Sequence, residues 1–343
     1  LATSSAASDV YKRQVLAIAV AISGVAQFIW LLEACRQNGS IPKLRRPRVT
    51  ERVKKLFKLM LPAVLGAGVV QINLLIDIIL ASTLPSGSIS FLYFADRINQ
   101  LPLALIGIAI GTALLPKLSR EIQCGELEKA KRSQDHALEF GMVLALPAAV
   151  GLLVLSQPII STLFERGAFS PTAVDATAQT LFCYAFGLPA FIIIKVLQPS
   201  FFARYDTLTP VKVASFMVLT NLVLNIILMQ FLAHAGLALA TSITAWLNAA
   251  ILAFILKQKG LHQHSKKTYV RLVRTFMASA IMGMGLLGMI EFAGDSMFGS
   301  KNSNIISLAA QILLGLFLYI IPVFLFRVIR LSEVRHEIKS WVK

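Results

Sequence analysis

Charge is scarce in this sequence: Asp, Glu, Lys and Arg make up 15% of its 343 residues, hydrophobic side chains make up 56%, and the mean hydropathy is +0.72. That balance excludes a water-soluble globule and reads as an all-α polytopic membrane protein. Acids are scarcer than bases, 17 against 33, leaving a formal net charge of +16. In a soluble protein such a surplus would point to nucleic acid, but here the basic residues serve first as loop charges that orient spans, so no nucleic-acid partner is expected. Cysteine is rarer still. Cys35, Cys124 and Cys183 are scattered without metal-ligand spacing, and none of the five histidines has a ligand-spaced partner, so neither a disulfide nor a metal cluster is implied. No span end carries two acids at helical spacing, which removes the metal-and-base apparatus that a membrane-embedded transferase would need.

What is abundant is long apolar runs. Stretches of the ~20 residues needed to cross a bilayer occur nine times: 15–35, 59–84, 89–115, 137–155, 178–202, 211–232, 237–256, 272–290 and 305–326. Pro62, Pro102, Pro147, Pro189 and Pro199 interrupt them, and the broken helices this produces suit a transporter. Residues 1–14, LATSSAASDVYKRQ, lack the apolar core of a signal peptide and look foreign to the rest, so they are read as a non-native or disordered extension. The remaining organisation is expected to be a span and basic linker over 15–58, a six-helix lobe over 59–256, and two further helices with a basic tail over 257–343.

Lys and Arg alternate between connections. Residues 36–58, 116–136, 203–212, 257–274 and 326–343 hold 27 of the 33 basic residues, whereas the intervening connections hold only Arg166 and Lys301. The positive-inside rule therefore places the basic connections and the C-terminus in the cytoplasm. The clusters 43–48 and 52–58 are also suited to anionic lipid head groups.

Against this apolar background, Asp96, Arg97, Asn99 and Gln100 fall near the middle of SGSISFLYFADRINQLPLALIGIAIGTALLP, residues 86–116. A charge at bilayer depth costs about 3 kcal/mol, so such residues face a protein interior or an aqueous cavity. Arg97 offers a permanently charged planar fork matched to phosphate or carboxylate oxygens. Either it holds an anionic substrate or it is half of a buried ion pair. Lys195 lies about 12 Å from the inner boundary at ~1.5 Å per residue, where it can either snorkel to water or touch phosphate.

Three phrases carry a resemblance: LPSGSISFLYFADRINQLPLALIGIAIGTALLPKLSR, LFERGAFSPTAVDAT and FFARYDTLTPVKVA. From about Val15 onward the chain resembles the MurJ/MviN family of lipid II flippases, within the multidrug/oligosaccharidyl-lipid/polysaccharide exporter superfamily. The resemblance implies a fourteen-helix bundle of two six-helix lobes around a cavity, with two extra helices forming a groove for a polyprenyl tail. On that template the chain is similar to helices six to fourteen, without the first five. It implies a bacterial inner-membrane, multi-pass protein that works as a monomer in contact with cell-wall synthesis machinery and membrane lipids. Its substrate would be an undecaprenyl-diphosphate-linked peptidoglycan precursor, carried by alternating access. Arg97, with its neighbour Asp96, matches the family's cavity-lining arginine. Gln100 stands where many relatives have Glu, so a role needing charge there is in doubt.

Asp77 is the only ionisable residue of the second span, and Asn221 and Asn225, four apart, share a face of the sixth. Thr241 opens the seventh. These oxygens suit a hard monovalent cation, and the resemblance implies sodium; proton coupling and an Asp77–Arg97 ion pair are the alternatives. Apart from that ion no cofactor is expected. Competing readings are a flippase for another polyprenyl-linked saccharide, a cation-coupled drug exporter, whose cavity would favour acids over Arg97, a polyprenyl-phosphate glycosyltransferase, and a structural scaffold.

Overall fold

A computed structural model describes residues 2–37, 39, 50–260, 266–297, 305–326 and 328. Its helices are α1 (Ala2–Gln37), α2 (Glu51–Ser82), α3 (Ser88–Gln123), α4 (Leu127–Val154), α5 (Ser156–Phe164), α6 (Pro171–Phe202), α7 (Leu208–Gln258), α8 (Lys266–Met297) and α9 (Ile305–Leu325). Among the described residues, seven helices are long and apolar enough to cross a membrane: parts of α1 and α8, and all of α3, α4, α6, α7 and α9. The chain divides into two compact units, residues 1–57 and 58–343. In the first, α1 already begins at Ala2, so residues 2–14 are helical, and its apolar part 17–37 is exposed all round.

Local chemistry sets the helix ends. Ser170 caps α6 by accepting a hydrogen bond from the Ala173 N–H at 3.3 Å, with Pro171 in the first helical position. Between α3 and α4, Gly125 at φ 77° lets the Glu126 N–H reach back to the Glu121 carbonyl at 2.9 Å, so the charged Cys124–Glu126 turn ends one helix and starts the next. Both helices run past the apolar stretches read from sequence, because their polar continuations near this end keep the helical hydrogen bonds. Nine residues of α5, too short to span, were part of a connection by hydropathy alone.

The most buried element is α6, packed along α3, α4 and α7. At 51 residues α7 is two arms joined at Ala233, whose φ 48° and ψ −125° break the helix. Val213 and Met217 on the first arm share a core with Ala249, Leu252 and Leu256 on the second and with Ala190, Ile194 and Phe201 of α6, so the arms run antiparallel. Helices α8 and α9 lie against α4: the Tyr319 hydroxyl donates to the Val143 carbonyl at 2.6 Å, and Arg271 pairs with Glu139 at 2.7 Å.

At one end of the second unit, Asp206 sits between α6 and α7. Burial pushes its carboxyl up, but hydrogen bonds from Lys259, the Thr209 hydroxyl and the Thr209 N–H, together with the Lys259 charge, outweigh that and hold it below the ordinary carboxylate value. The opposite end gathers Phe91, Phe94, Phe164, Phe169 and His234.

Without a strong hydrophobic drive in lipid, helices associate through close backbone approach. A Cβ at Gly187 of α6 would lie 2.6 Å from the Ser242 Oγ and 2.9 Å from its Cα, and that hydroxyl donates to the Cys183 carbonyl at 2.6 Å. Gly187→Val is expected to part α6 from α7 and destabilise by about 1–3 kcal/mol, the usual overpacking range. Gly151→Ala, which meets nothing within 4 Å, is the control. Thermal unfolding in detergent measures both; equal midpoints would show that the approach carries no stability.

Candidate functional site

Two polar groups interrupt the apolar surface of the second unit. The first is a face of α3. Residues 93, 97 and 100 follow helical spacing, and Tyr93, Arg97 and Gln100 are all exposed. The Arg97 guanidinium carbon stands 4.8 Å from the centre of the Tyr93 ring, a cation–π contact that orients the fork without neutralising it. Asp96 is half-buried and accepts a hydrogen bond from the Gln100 amide, which gives Gln100 a positioning role compatible with its lack of charge. Among the described residues no acid forms an ion pair with Arg97. Its donors remain available to an anion. Asn99 points to the opposite, buried side, where its Oδ1 has no partner.

Lys195 of α6 is exposed, and its stem passes Gly107 of α3, where an added Cβ would lie 3.5 Å from Cγ. Gly107 is ten residues beyond Arg97, about 15 Å along the helix. The two cations therefore lie at separate levels along α3, with Gly107 on a different face from Arg97.

The second group joins α2 to the first arm of α7. Asn225 donates from Nδ2 to Asp77 Oδ1 at 2.7 Å and to Asn221 Oδ1 at 2.8 Å, while Asn73 donates to Asp77 Oδ2 at 3.2 Å. Asn221 and Asn225 are buried, and Asn225 Oδ1 is left without a partner. Both oxygens of Asp77 are engaged by amides, and it makes no ion pair with Arg97. Thr241 stays outside this hydrogen-bonded group: its hydroxyl donates to the Leu237 carbonyl of its own helix at 3.0 Å. Asn73 was not anticipated, although its place four residues before Asp77 is a helical-neighbour signal that a reading of Asp77 alone passes over. Among the described residues no group of three or more His, Cys, Asp or Glu side chains could hold a metal ion.

The family model described as "Lipid II flippase MurJ" matches residues 2–300. This chain belongs to the MurJ family. It is 38% identical to the probable lipid II flippase MurJ of Rhizobium meliloti (strain 1021) over 93% of this chain and 60% of that protein. With the probable lipid II flippase MurJ of Vibrio cholerae serotype O1 the identity is 36%, over 93% of this chain and 61% of the relative. A solved lipid II flippase MurJ in an inward closed conformation superposes with a TM-score of 0.70 at 28% identity, covering 84% of this chain and 58% of that one. The chain thus spans about 60% of the length of the curated MurJ relatives it matches. All three phrases that carried the resemblance lie inside the matched range, and so do Arg97, Asp77 and their partners.

Proposed function

We propose that this chain supplies the second lobe and lipid-facing helices of a flippase that moves lipid II, the undecaprenyl-diphosphate-linked disaccharide-pentapeptide, from the cytoplasmic to the periplasmic leaflet by alternating access. The observation that carries the reading is Arg97: a permanent charge on an exposed face of an apolar helix, stacked on Tyr93 and paired with no acid. A guanidinium at that depth, with Asp96 as its neighbouring acid but no ion pair among the described residues, has donors open to an anionic partner, and diphosphate matches its fork. A drug exporter for cations would place an acid there instead. Lys195 offers a contact nearer the basic end, and Asp96 with Gln100 fixes the helix surface around Arg97. Both arms of α7 and α2 count as crossings on this reading, beside the other helices among the seven described as long and apolar enough to cross, and the Leu, Ile and Phe surface of α8 and α9 would receive the polyprenyl tail. The test is rescue of a bacterium depleted of its lipid II flippase by the full-length product of the gene encoding this chain. Rescue with restored transfer of labelled lipid II is expected; transfer of a different polyprenyl-linked saccharide only would overturn the assignment.

Orientation is taken from the basic connections; within the second unit the Gln123 amide donates to the Tyr205 hydroxyl at 3.5 Å and Lys259 pairs with Asp206 at 2.6 Å, so the described parts of three of them meet at one end. Gly125→Cys and Gly260→Cys, in a cysteine-free background, should resist an impermeant maleimide added outside intact cells, and Gly167→Cys should react. Outside labelling at position 125 would invert the bundle.

Sodium coupling is supported by the Asp77 group. An unpartnered buried oxygen, Asn225 Oδ1, lies on the same amide that bridges Asp77 and Asn221. A half-turn of that amide would bring Asn225 Oδ1 to join the Asp77 and Asn221 oxygens, an all-oxygen set with one negative charge that fits a hard monovalent ion. Such an ion would tie α2 to α7 and so bias one conformation of the lobe.

A further inference from the structure

The exposed face of α3 that carries Arg97 leads to a second basic position that the transport reading does not use. Ser90 is seven residues before Arg97, on the same helical face and about 10 Å away, and it lines a cavity of about 510 Å³ between the start of α3, the end of α5 and the start of α6. The hollow is open along much of its rim rather than enclosed, so it suits one part of a larger ligand. Phe91, Phe94, Phe164 and Phe169 form its walls, with ring centres of Phe94 4.8 Å from Phe164 and 5.6 Å from Phe169. Arg166 stands at its edge. One guanidinium nitrogen donates to the Leu163 carbonyl at 2.6 Å, which fixes the side chain, and the adjacent Glu165 forms no ion pair with it. Among the described residues of the connections at this end, Arg166 is the only Lys or Arg.

We infer that this cavity is a release site on the outer side for the glycosyl-phosphate part of the lipid-linked substrate, with Arg166 holding the anion and the phenyl rings the sugar. The proposal rests on the flippase reading and deepens it. Rings with negative faces offer flat apolar walls to the C–H side of a pyranose, and a guanidinium whose remaining donors are open pairs with phosphate. A purely apolar lipid tail would leave Arg166 unused, and a free phosphate would not use the exposed edges of the ring cluster, which also packs on the core. Ser90, on the Arg97 face, lines the cavity that Arg166 edges, so an anion leaving Arg97 outward has a next partner there.

The 343-residue chain in lipid nanodiscs, titrated with N-acetylglucosamine 1-phosphate and followed by saturation-transfer NMR, tests this. Uncharged N-acetylglucosamine, glycerol 1-phosphate and inorganic phosphate are the comparison arms. The sugar phosphate is expected to bind best, to lose about tenfold in affinity with Arg166→Ala, and to keep within about threefold with Arg166→Lys. Phe169→Leu, which keeps apolar volume without a ring face, should weaken transfer to the sugar protons. Equal binding of glycerol phosphate or inorganic phosphate overturns the saccharide assignment. Unchanged affinity in Arg166→Ala at an unaltered unfolding midpoint overturns the site. Should Arg97→Ala instead abolish probe binding while Arg166→Ala does not, the outer site is wrong and the flippase reading stands; full rescue of transport by Arg97→Ala would sink that reading independently.

Discussion

Arg97→Ala is expected to abolish rescue of a flippase-depleted bacterium by the full-length gene product, at normal expression and membrane insertion. The substitution removes one half of a charge pair that the substrate completes. Leaving a desolvated phosphate charge without its partner costs about 2–5 kcal/mol, a loss of roughly 30- to 4,000-fold at 1.4 kcal/mol per decade. Because no ion pair joins Arg97 to an acid among the described residues, only the electrostatic contact with neighbouring Asp96 is lost, and stability should fall modestly at most. Arg97→Lys keeps the charge but loses the fork and the planar stack on Tyr93, so it should retain partial transport. Full rescue by Arg97→Ala would leave Arg97 a structural residue and remove the main support for an anionic substrate.

Sodium is expected to raise the thermal midpoint of the purified chain relative to potassium at equal ionic strength, and Asp77→Ala and Asn225→Ala should each remove the difference. A ligand that binds only the folded state stabilises it by RT ln(1 + [L]/Kd), so sodium at ten times its Kd contributes about 1.4 kcal/mol. For a chain of this size that is a shift of roughly 2–4 °C. Asn221→Ala should act in the same direction, because its Oδ1 sits 2.8 Å from the bridging amide. Thr241→Val is the informative comparison: its hydroxyl donates within its own helix, so an unchanged sodium response would restrict the ligand set to the Asp77 group, and a lost response would add a fourth oxygen. A wild type indifferent to sodium, with Asp77→Ala/Arg97→Ala more stable than either single variant, would restore the ion-pair reading.

Of the nine spans read from the sequence, two are the arms of one 51-residue helix and 59–84 is not among the seven described helices long and apolar enough to cross. The sequence by itself determined the membrane class and the alternation of basic connections. Those properties are additive along the chain: twenty apolar residues exceed the cost of burying their backbone only as a hydrogen-bonded helix, wherever else in the molecule they pack. Helical spacing also put Asn221 and Asn225 on one face, because i and i+4 neighbours need no tertiary contact. The tertiary structure decided what no local rule contains. Asp77 and Asn225 are 148 positions apart, and the reach of Asn225 to Asp77 rather than of Arg97 to Asp77 is set by how α7 lies on α2. That Gly187 admits Ser242 and that Ala233 folds a 51-residue helix into two arms follow from packing of one helix against another, whereas the Asn73–Asp77 and Thr241–Leu237 bonds are i, i+4 contacts within single helices. Short α5 and the Phe-lined cavity beside Arg166 escaped hydropathy for the same reason, since nine apolar residues and four scattered rings become a site only when three helix ends meet.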